Sequence, residues 1–173
     1  MAGSRNCGRG INMSNVHLEV LTARYVENEN ACAVYNDLDG INKLLTVLST
    51  SSKPIIDRLE LLKILRQDNL RVVIARDIDK NRYEEPSIVG MATIHWHKLP
   101  TKINAYIDDV VVDEEYRGQK IGKRLTRELI RIAKEACANC IDLTSNPNRT
   151  EANGLYQKLG FEKRETNYYR LEL

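Results

Sequence analysis

The sequence predicts an α/β domain whose central sheet is mixed and mostly antiparallel, with helices on both faces and one parallel β-α-β crossover. Two segments with apolar residues at helical spacing precede most of the strand-like segments. One amphipathic segment, long enough for a right-handed parallel crossover, separates the apolar runs 103–112 and 140–145. Short loops join the other neighbouring strands, which favours antiparallel pairing between them.

The N-terminal half begins with a polar, glycine-rich stretch, residues 1–15, which we expect to be a disordered tail. We expect residues 16–173 to form a single domain, because a chain of 173 residues with 42% hydrophobic residues can bury one core. Alternation over 16–21 predicts a first strand. Leucines and isoleucines at helical spacing predict helices over 37–49 and 54–67.

The C-terminal half contains most of the sheet and the crossover helix. Apolar runs predict strands over 71–76, 87–99, 103–112 and 140–145. An apolar stripe predicts a long helix over 121–138, and a shorter helix over 150–159 ends at Gly160 in a left-handed conformation. Phe161 to Leu173 is predicted to form a terminal hairpin.

Composition and charge exclude several function classes. The formal net charge of +2 does not favour nucleic acid as a partner. No apolar run approaches the roughly 20 residues that cross a bilayer, so we expect no membrane partner. A reducing, cytoplasmic setting fits the cysteines, with the nucleus as an alternative. An exposed edge strand or the terminal hairpin would allow a homodimer.

Two short motifs suggest metal or redox chemistry but lack the rest of such a site. Cys137 and Cys140 form a C-x-x-C with no second such pair and no histidine pair near it in sequence. His95 and His97 share one strand face without further evident ligands. We therefore predict no metal site, small partly buried cysteines at a helix end, and histidines in a substrate cleft or at the surface.

The most informative stretch follows the run Val110-Val111-Val112. A compact loop, Arg117-Gly118-Gln119-Lys120-Ile121-Gly122, leads directly into the long helix. Main-chain N–H groups converge without partners where a loop enters a helix, and they bind phosphate there. A P-loop is excluded because the glycine spacing is one residue short and Arg124 stands at the magnesium-binding Ser/Thr position. The loop is therefore predicted to bind a pyrophosphate without a metal.

These residues resemble the GNAT superfamily of acetyl-CoA-dependent N-acetyltransferases. The loop matches the signature Arg/Gln-x-x-Gly-x-Gly/Ala after a valine-rich strand, and a second segment, 146–161, resembles the family's Asn…Ala-x-x-Leu-Tyr-x-Lys-x-Gly-Phe. The resemblance covers roughly residues 70 to 173. It implies a GNAT-like acyl-CoA N-acyltransferase fold, with acetyl-CoA as co-substrate and no metal.

The resemblance also implies roles for individual residues. The strand residues would pair with the pantetheine arm, the loop amides would bind the pyrophosphate, and two asparagines would contact the cofactor. These cofactor-binding candidates are Val110, Val111, Val112, Arg117, Gly118, Gln119, Lys120, Ile121, Gly122, Lys123, Asn148 and Asn153. Lys120 replaces the middle glycine of the signature, and we expect a negative φ there, with its amide still available. Tyr156 would lie near the thioester sulfur.

The chemistry requires a base and a proton donor. Deprotonating a primary amine of pKa about 10.4 at pH 7 costs about 4.6 kcal/mol, and a carboxylate acting through water can accept that proton. Asp108 and Asp109 are the candidates, and as strand neighbours only one can line the cleft. Tyr156 is the candidate donor to the leaving sulfur, unless its ring only packs the short helix. For both aspartates the alternative is an exposed strand end.

The resulting hypothesis is acetyl transfer from acetyl-CoA to a primary amine by direct attack in a ternary complex, on a small-molecule acceptor. One alternative within enzymes is a protein lysine or N-terminal acetyltransferase. The other is a non-catalytic coenzyme-A-binding regulatory protein, which the Lys120 substitution would favour.

Overall fold

The computed structural model describes residues 15–28, 31–48, 55–81, 83, 85 and 87–173. The chain divides into two compact units, the first ending at Leu143 and the second beginning at Thr144. The predicted tail, 1–15, lies outside the described residues except for Asn15, whose carbonyl accepts a hydrogen bond from the Ile78 amide at 2.9 Å.

The first unit contains a five-stranded sheet and four helices. Its strands are β1 (Val16–Leu21), β2 (Leu70–Asp77), β3 (Ile88–Lys98), β4 (Ile103–Val112) and β5 (Cys140–Leu143). Its helices are α1 (Ala23–Asn28), α2 (Ala31–Leu48), α3 (Arg58–Leu65) and α4 (Ile121–Glu135). The strands lie in sequence order across the sheet. The first three pairings are antiparallel and β4–β5 is parallel, which confirms the predicted mixed sheet and its crossover.

The helices of the N-terminal half differ from their predicted bounds. Helix α1 was not predicted, and only one of its residues, Val26, is buried, so it carries no apolar stripe. Helix α2 starts at Ala31 rather than 37, because the buried residues Ala33 and Val34 continue the apolar stripe of Leu38 and Ile41 one turn further toward the N-terminus. Helix α3 starts at Arg58, where the side chain of Asp57 caps it by accepting a hydrogen bond from the Glu60 amide at 2.8 Å.

Each face of the sheet packs against different helices. Val72, Ile74, Met91 and Val111 belong to a buried cluster with Val34, Leu38, Ile41 and Leu44 of α2. Gly90 faces α4, since a Cβ atom there would lie 3.3 Å from Leu125 and 3.4 Å from Ile121. Because successive strand residues alternate between faces, helices cover both faces, as predicted.

A β-bulge interrupts strand β4. Met91 pairs with Val111 and Thr93 pairs with Asp108, so two residues of β4 lie opposite Ala92. Asp109, one of those two, adopts a left-handed conformation with φ 52°. The bulge interrupts the alternation of side chains, so the premise that Asp108 and Asp109 are neighbours on a regular strand is wrong, and which of them lines the cleft stays a prediction.

The second unit consists of a turn, helix α5 (Thr150–Lys158) and the C-terminal segment. Gly160 has φ 92°, which confirms the left-handed helix stop. The rings of Tyr156 and Phe161 meet edge to face with centroids 5.9 Å apart.

The predicted terminal hairpin is wrong, because no strand forms between 161 and 173. Tyr169 and Leu171 are each 84% exposed, so this segment adds little to the core. An isolated two-stranded hairpin is marginal in water without such packing.

Within the described part of the chain, no helix is both long enough and apolar enough to traverse a lipid bilayer.

Candidate active site

The predicted phosphate loop lies between a short 3₁₀ turn, Glu114–Tyr116, and the start of α4. Gly118 and Lys120 both have positive φ, 78° and 61°. Among the described residues, no protein acceptor is found for the main-chain N–H groups of 118–123, whereas the Arg124 amide begins the helical pattern by donating to the Lys120 carbonyl at 3.0 Å. The loop and the first turn of α4 therefore present a series of unused amide donors at the positive end of a 15-residue helix.

Lys120 adopts a left-handed conformation, with φ 61° and ψ 13° at the N-cap of α4. The expectation of a negative φ at this position is therefore wrong. The loop keeps a backbone that glycine adopts without strain, and the lysine accommodates it at a cost of about 1–2 kcal/mol. The substitution thus leaves the left-handed loop geometry in place.

Buried and half-buried polar contacts of Asp113 and Tyr116, just before the loop, hold it against the rest of the first unit. The hydroxyl of Tyr116 donates to Asp77 at 2.6 Å in a buried position. Burial, and then this contact, raises the pKa of Tyr116 well above its ordinary value, so the hydroxyl keeps its proton. Asp113 accepts from Lys43 of α2 at 2.6 Å. Burial opposes ionisation of Asp113, but the Lys43 hydrogen bond and the Glu115 amide hold its pKa below its usual range.

Strand β4 extends past its parallel neighbour. The pairing with β5 runs from Asn104 opposite Cys140 to Ile107 opposite Leu143, and β4 continues to Val112. The three valines predicted to contact the cofactor lie in this extension, between the bulge and the loop. A ligand in extended conformation can add to a sheet edge of this kind by main-chain hydrogen bonds.

Asp108 and Asp109 lie where β4 leaves β5, so the structure places both candidate bases at the same point of the sheet edge. Partial desolvation, and secondarily the charge of Asp108, raises the pKa of Asp109, although its side chain reaches the surface. A raised pKa makes a carboxylate a stronger proton acceptor. Asp108 lies 3.2 Å from His95, between Asp108 Oδ2 and His95 Nε2.

The remaining predicted residues lie in the second unit. Tyr156 is buried, and this burial raises the pKa of its phenol, with Arg149 acting in the opposite direction. Asn153 donates to the carbonyl of Asn146 at 3.0 Å, which holds the turn before α5. The amide of Asn148 donates to the side chain of Asn146 at 2.9 Å, and the Asn148 side chain is exposed.

Sequence reasoning missed the residues that anchor the loop and the partner of Asp108. Tyr116 and Asp113 flank the loop, but their partners Asp77 and Lys43 lie 39 and 70 residues away in sequence. An aromatic residue and a carboxylate just before the loop were the only local signal. Among the described residues there is no group of three or more histidine, cysteine, aspartate or glutamate side chains arranged to hold a metal ion.

Solved structures place this fold among acetyltransferases. A Trypanosoma brucei acetyltransferase superposes with a TM-score of 0.69 at 26% identity, covering 91% of this chain and 99% of that one. The glucosamine-6-phosphate N-acetyltransferase of Arabidopsis thaliana gives 0.67 at 18% identity, covering 90% and 97%. An aminoglycoside acetyltransferase from an uncultured soil sample, in complex with sisomicin, gives 0.68 at 22%, covering 92% and 98%. The last two share the fold alone.

The family model described as acetyltransferase (GNAT) family matches residues 38–161, more than half of the chain. The chain belongs to the acetyltransferase (GNAT) family, which confirms the resemblance. The GCN5-related N-acetyltransferase 2 of Arabidopsis thaliana chloroplasts is 34% identical over 84 residues, 49% of this chain and 30% of that protein. A putative ribosomal protein bS18-alanine N-acetyltransferase of Bacillus subtilis is 34% identical over 68 residues, 38% and 45%. The match spans less than half the length of each relative.

Proposed function

We propose that the protein transfers an acetyl group from acetyl-CoA to a primary amine, by direct attack of the amine in a ternary complex, and that the acceptor is a small molecule. The observation that carries this proposal is the set of unused amide donors of 118–123 at the N-terminus of α4, next to the end of strand β4. Membership of the acetyltransferase (GNAT) family supports it.

Acetyl-CoA would bind along the edge of β4 beyond Ile107 and at the loop that leads into α4. Its pyrophosphate carries two negative charges and fits converging N–H donors at a helix N-terminus. The pantetheine arm fits the extension of β4 beyond Ile107, where main-chain groups can pair with it as an added strand does. Arg117, Lys120 and Lys123 add positive charge beside the loop, although Arg117 also lies 3.1 Å from Glu114. When bound, acetyl-CoA supplies an activated acetyl group as a thioester.

The amine must lose a proton before it attacks. Asp108 and Asp109 lie at the sheet edge where the thioester would lie, and the raised pKa of Asp109 suits it to accept a proton. The carboxylate of Asp108 lies beside His95, 3.2 Å from its Nε2 atom.

Tyr156 is the candidate donor to the leaving sulfur. A free thiol has a pKa of about 8.5 and a free phenol about 10. Full proton transfer from a phenol of ordinary pKa to a thiolate is therefore unfavourable by about 2 kcal/mol. Burial raises the pKa of Tyr156, which makes transfer harder still. We therefore propose that Tyr156 donates a hydrogen bond to the sulfur and does not lose its proton.

Two other functions have one supporting observation each. The Bacillus subtilis relative is named for acetylation of a ribosomal protein, which favours a protein N-terminus as acceptor. A lysine at the middle position of the loop favours a non-catalytic coenzyme-A-binding regulator, although the left-handed backbone at Lys120 weakens that argument.

Calorimetric titration with coenzyme A and acetyl-CoA tests the binding site. Gly118→Ala places a side chain at φ 78° in the loop, and Gly160→Ala places one at φ 92° outside it, both in open space. We expect saturable binding that weakens about 10-fold in Gly118→Ala and is unchanged in the strain-matched control Gly160→Ala. An absence of heat and saturation with folded wild-type protein would refute the proposed cofactor.

Release of free thiol with a panel of amines tests the reaction. The panel contains glucosamine, an aminoglycoside, free lysine and a peptide with an N-terminal alanine. Turnover with a small amine supports the main proposal, and turnover with the peptide alone supports the protein acceptor. Binding of acetyl-CoA without thiol release on any amine would support the regulator.

A further inference from the structure

One face of the sheet carries a line of polar side chains beyond the apolar cluster. Met91 belongs to that cluster, and Thr93, His95 and His97 follow it at alternate positions of β3, so they share its face. Across the strand pair, Asp108 lies opposite Thr93 and Tyr106 lies opposite His95. The polar side chains therefore extend from Thr93 and Asp108, at the point where β4 leaves β5, towards the end of β3 at Lys98.

His95 occupies the centre of this line and contacts three neighbours. Its Nε2 atom lies 3.2 Å from Oδ2 of Asp108, within ion-pair distance once the imidazole is protonated. Its ring stacks on Tyr106, with centroids 5.7 Å apart and planes 28° apart, and on His97 at 6.4 Å. These ring contacts restrict the ring orientation, and the carboxylate defines which nitrogen carries the proton.

The two groups are packed by protein yet remain open to solvent. The side chain of His95 is 38% exposed and that of Asp108 is 44% exposed, so an amine can reach them. An imidazole is a stronger base than a carboxylate and takes a proton at neutral pH more readily. A neighbouring carboxylate stabilises the imidazolium that forms, as in other histidine–aspartate pairs.

We propose that His95 is the base that deprotonates the acceptor amine and that Asp108 is its positioning residue. The proposal rests on the proposed acetyl transfer. With the neutral imidazole proton on Nε2, toward Asp108, the lone pair of Nδ1 accepts a proton from the ammonium. The N–H bond breaks and its electron pair stays on nitrogen, which attacks the acetyl carbon. The imidazolium returns its proton to water, and the second proton of the amine leaves with the thiol.

If Asp108 acts through His95, the single and double variants should show a pattern of kcat values that general loss of structure would not produce. His95→Gln should lower kcat about 100-fold without changing the affinity for acetyl-CoA measured by calorimetry. Asp108→Asn should lower kcat about 10-fold. The double variant should resemble His95→Gln within about 2-fold, since Asp108 acts only through the imidazole. His17→Gln is the matched control, an exposed histidine of strand β1 outside this line of polar side chains, and should keep the wild-type kcat.

Chemical rescue separates a lost base from a distorted site. Added imidazole should raise the kcat of His95→Ala at least about 10-fold. It should not raise the kcat of Asp108→Asn. The probe is the best amine of the thiol-release panel. Wild-type kcat in His95→Gln, equal losses in the control His17→Gln, or multiplicative losses in the double variant would overturn the assignment while leaving acetyl transfer intact. Failure of the wild type itself to release thiol would instead refute the proposed function, and this assignment with it.

Discussion

Replacement of Lys120 by glycine should stabilise the protein, because a lysine occupies a left-handed conformation with φ 61° and ψ 13°. That conformation costs a residue with a Cβ atom about 1–2 kcal/mol. Glycine lowers this cost but has more backbone entropy to lose on folding, about 0.5–1 kcal/mol. The Lys120 side chain is exposed and makes no hydrogen bond or ion pair among the described residues. We therefore expect the free energy of unfolding to rise by about 0.5–1 kcal/mol.

Urea denaturation followed by circular dichroism measures this change, and thermal melting should show a Tm higher by about 1–4 °C. Lys120→Ala is the decisive control, because it removes the same charge but keeps the Cβ atom and therefore the strain. Lys123→Gly lies in the first turn of α4 and should lose about 0.5–1 kcal/mol as a helical glycine.

An alanine variant as stable as the glycine variant would refute the reasoning, since relief of charge repulsion would then account for the gain. The same pair of variants tests the loop as a binding site. Both lose the ammonium and both keep the amide of residue 120, so calorimetry should give them equal affinities for coenzyme A.

Three further predictions follow from individual contacts. Asp37→Ala should lower the free energy of unfolding by about 3 kcal/mol in urea denaturation, because the buried Arg76 guanidinium loses its buried carboxylate partner 2.6 Å away and keeps the half-exposed Glu19; a loss below about 1 kcal/mol would contradict this. Despite burial, the pKa of Asp113 is lowered in the folded state by its contact with Lys43. Its contribution to the free energy of unfolding is therefore present above about pH 3.9 and is lost as pH falls through the folded pKa. Lys43→Met should therefore cost about 0.5 kcal/mol at pH 7, a small value because Lys43 is 64% exposed, and the cost should shrink as pH falls below about 3.9; a pH-independent difference would exclude the ion pair. Tyr156→Phe should lower turnover by about 10-fold to 1000-fold with unchanged affinity for acetyl-CoA, and unchanged thiol release would remove Tyr156 from the mechanism.

The phosphate loop was predictable because its signals are local. A valine run, a glycine-containing loop and an amphipathic stripe lie within residues 110–135, and each depends on neighbours in the sequence. The same holds for strand β1 and for the helix stop at Gly160, whose φ is 92°. Local steric preference and hydrophobic period are set within a few residues, so the chain reveals them directly.

The conformation of Lys120 shows where local reasoning was wrong. Propensity disfavours a left-handed lysine, yet the loop adopts it between Tyr116, which is anchored on Asp77, and the start of α4. Tertiary contacts of this kind outweigh a penalty of about 1–2 kcal/mol. The hairpin predicted over 161–173 was also wrong, because apolar side chains such as Tyr169 and Leu171 stay 84% exposed and add no packing that would stabilise strands there.

The sequence by itself determined the five strands, the crossover helix and the loop 117–122, and the resemblance of two motifs indicated the acetyltransferase family. The tertiary structure alone decided the bulge at Asp109 and the contact between His95 and Asp108. Both depend on the register between β3 and β4, in which Thr93 lies opposite Asp108. Register results from the simultaneous packing of both sheet faces against helices from distant parts of the chain, and no stretch of neighbouring residues encodes it.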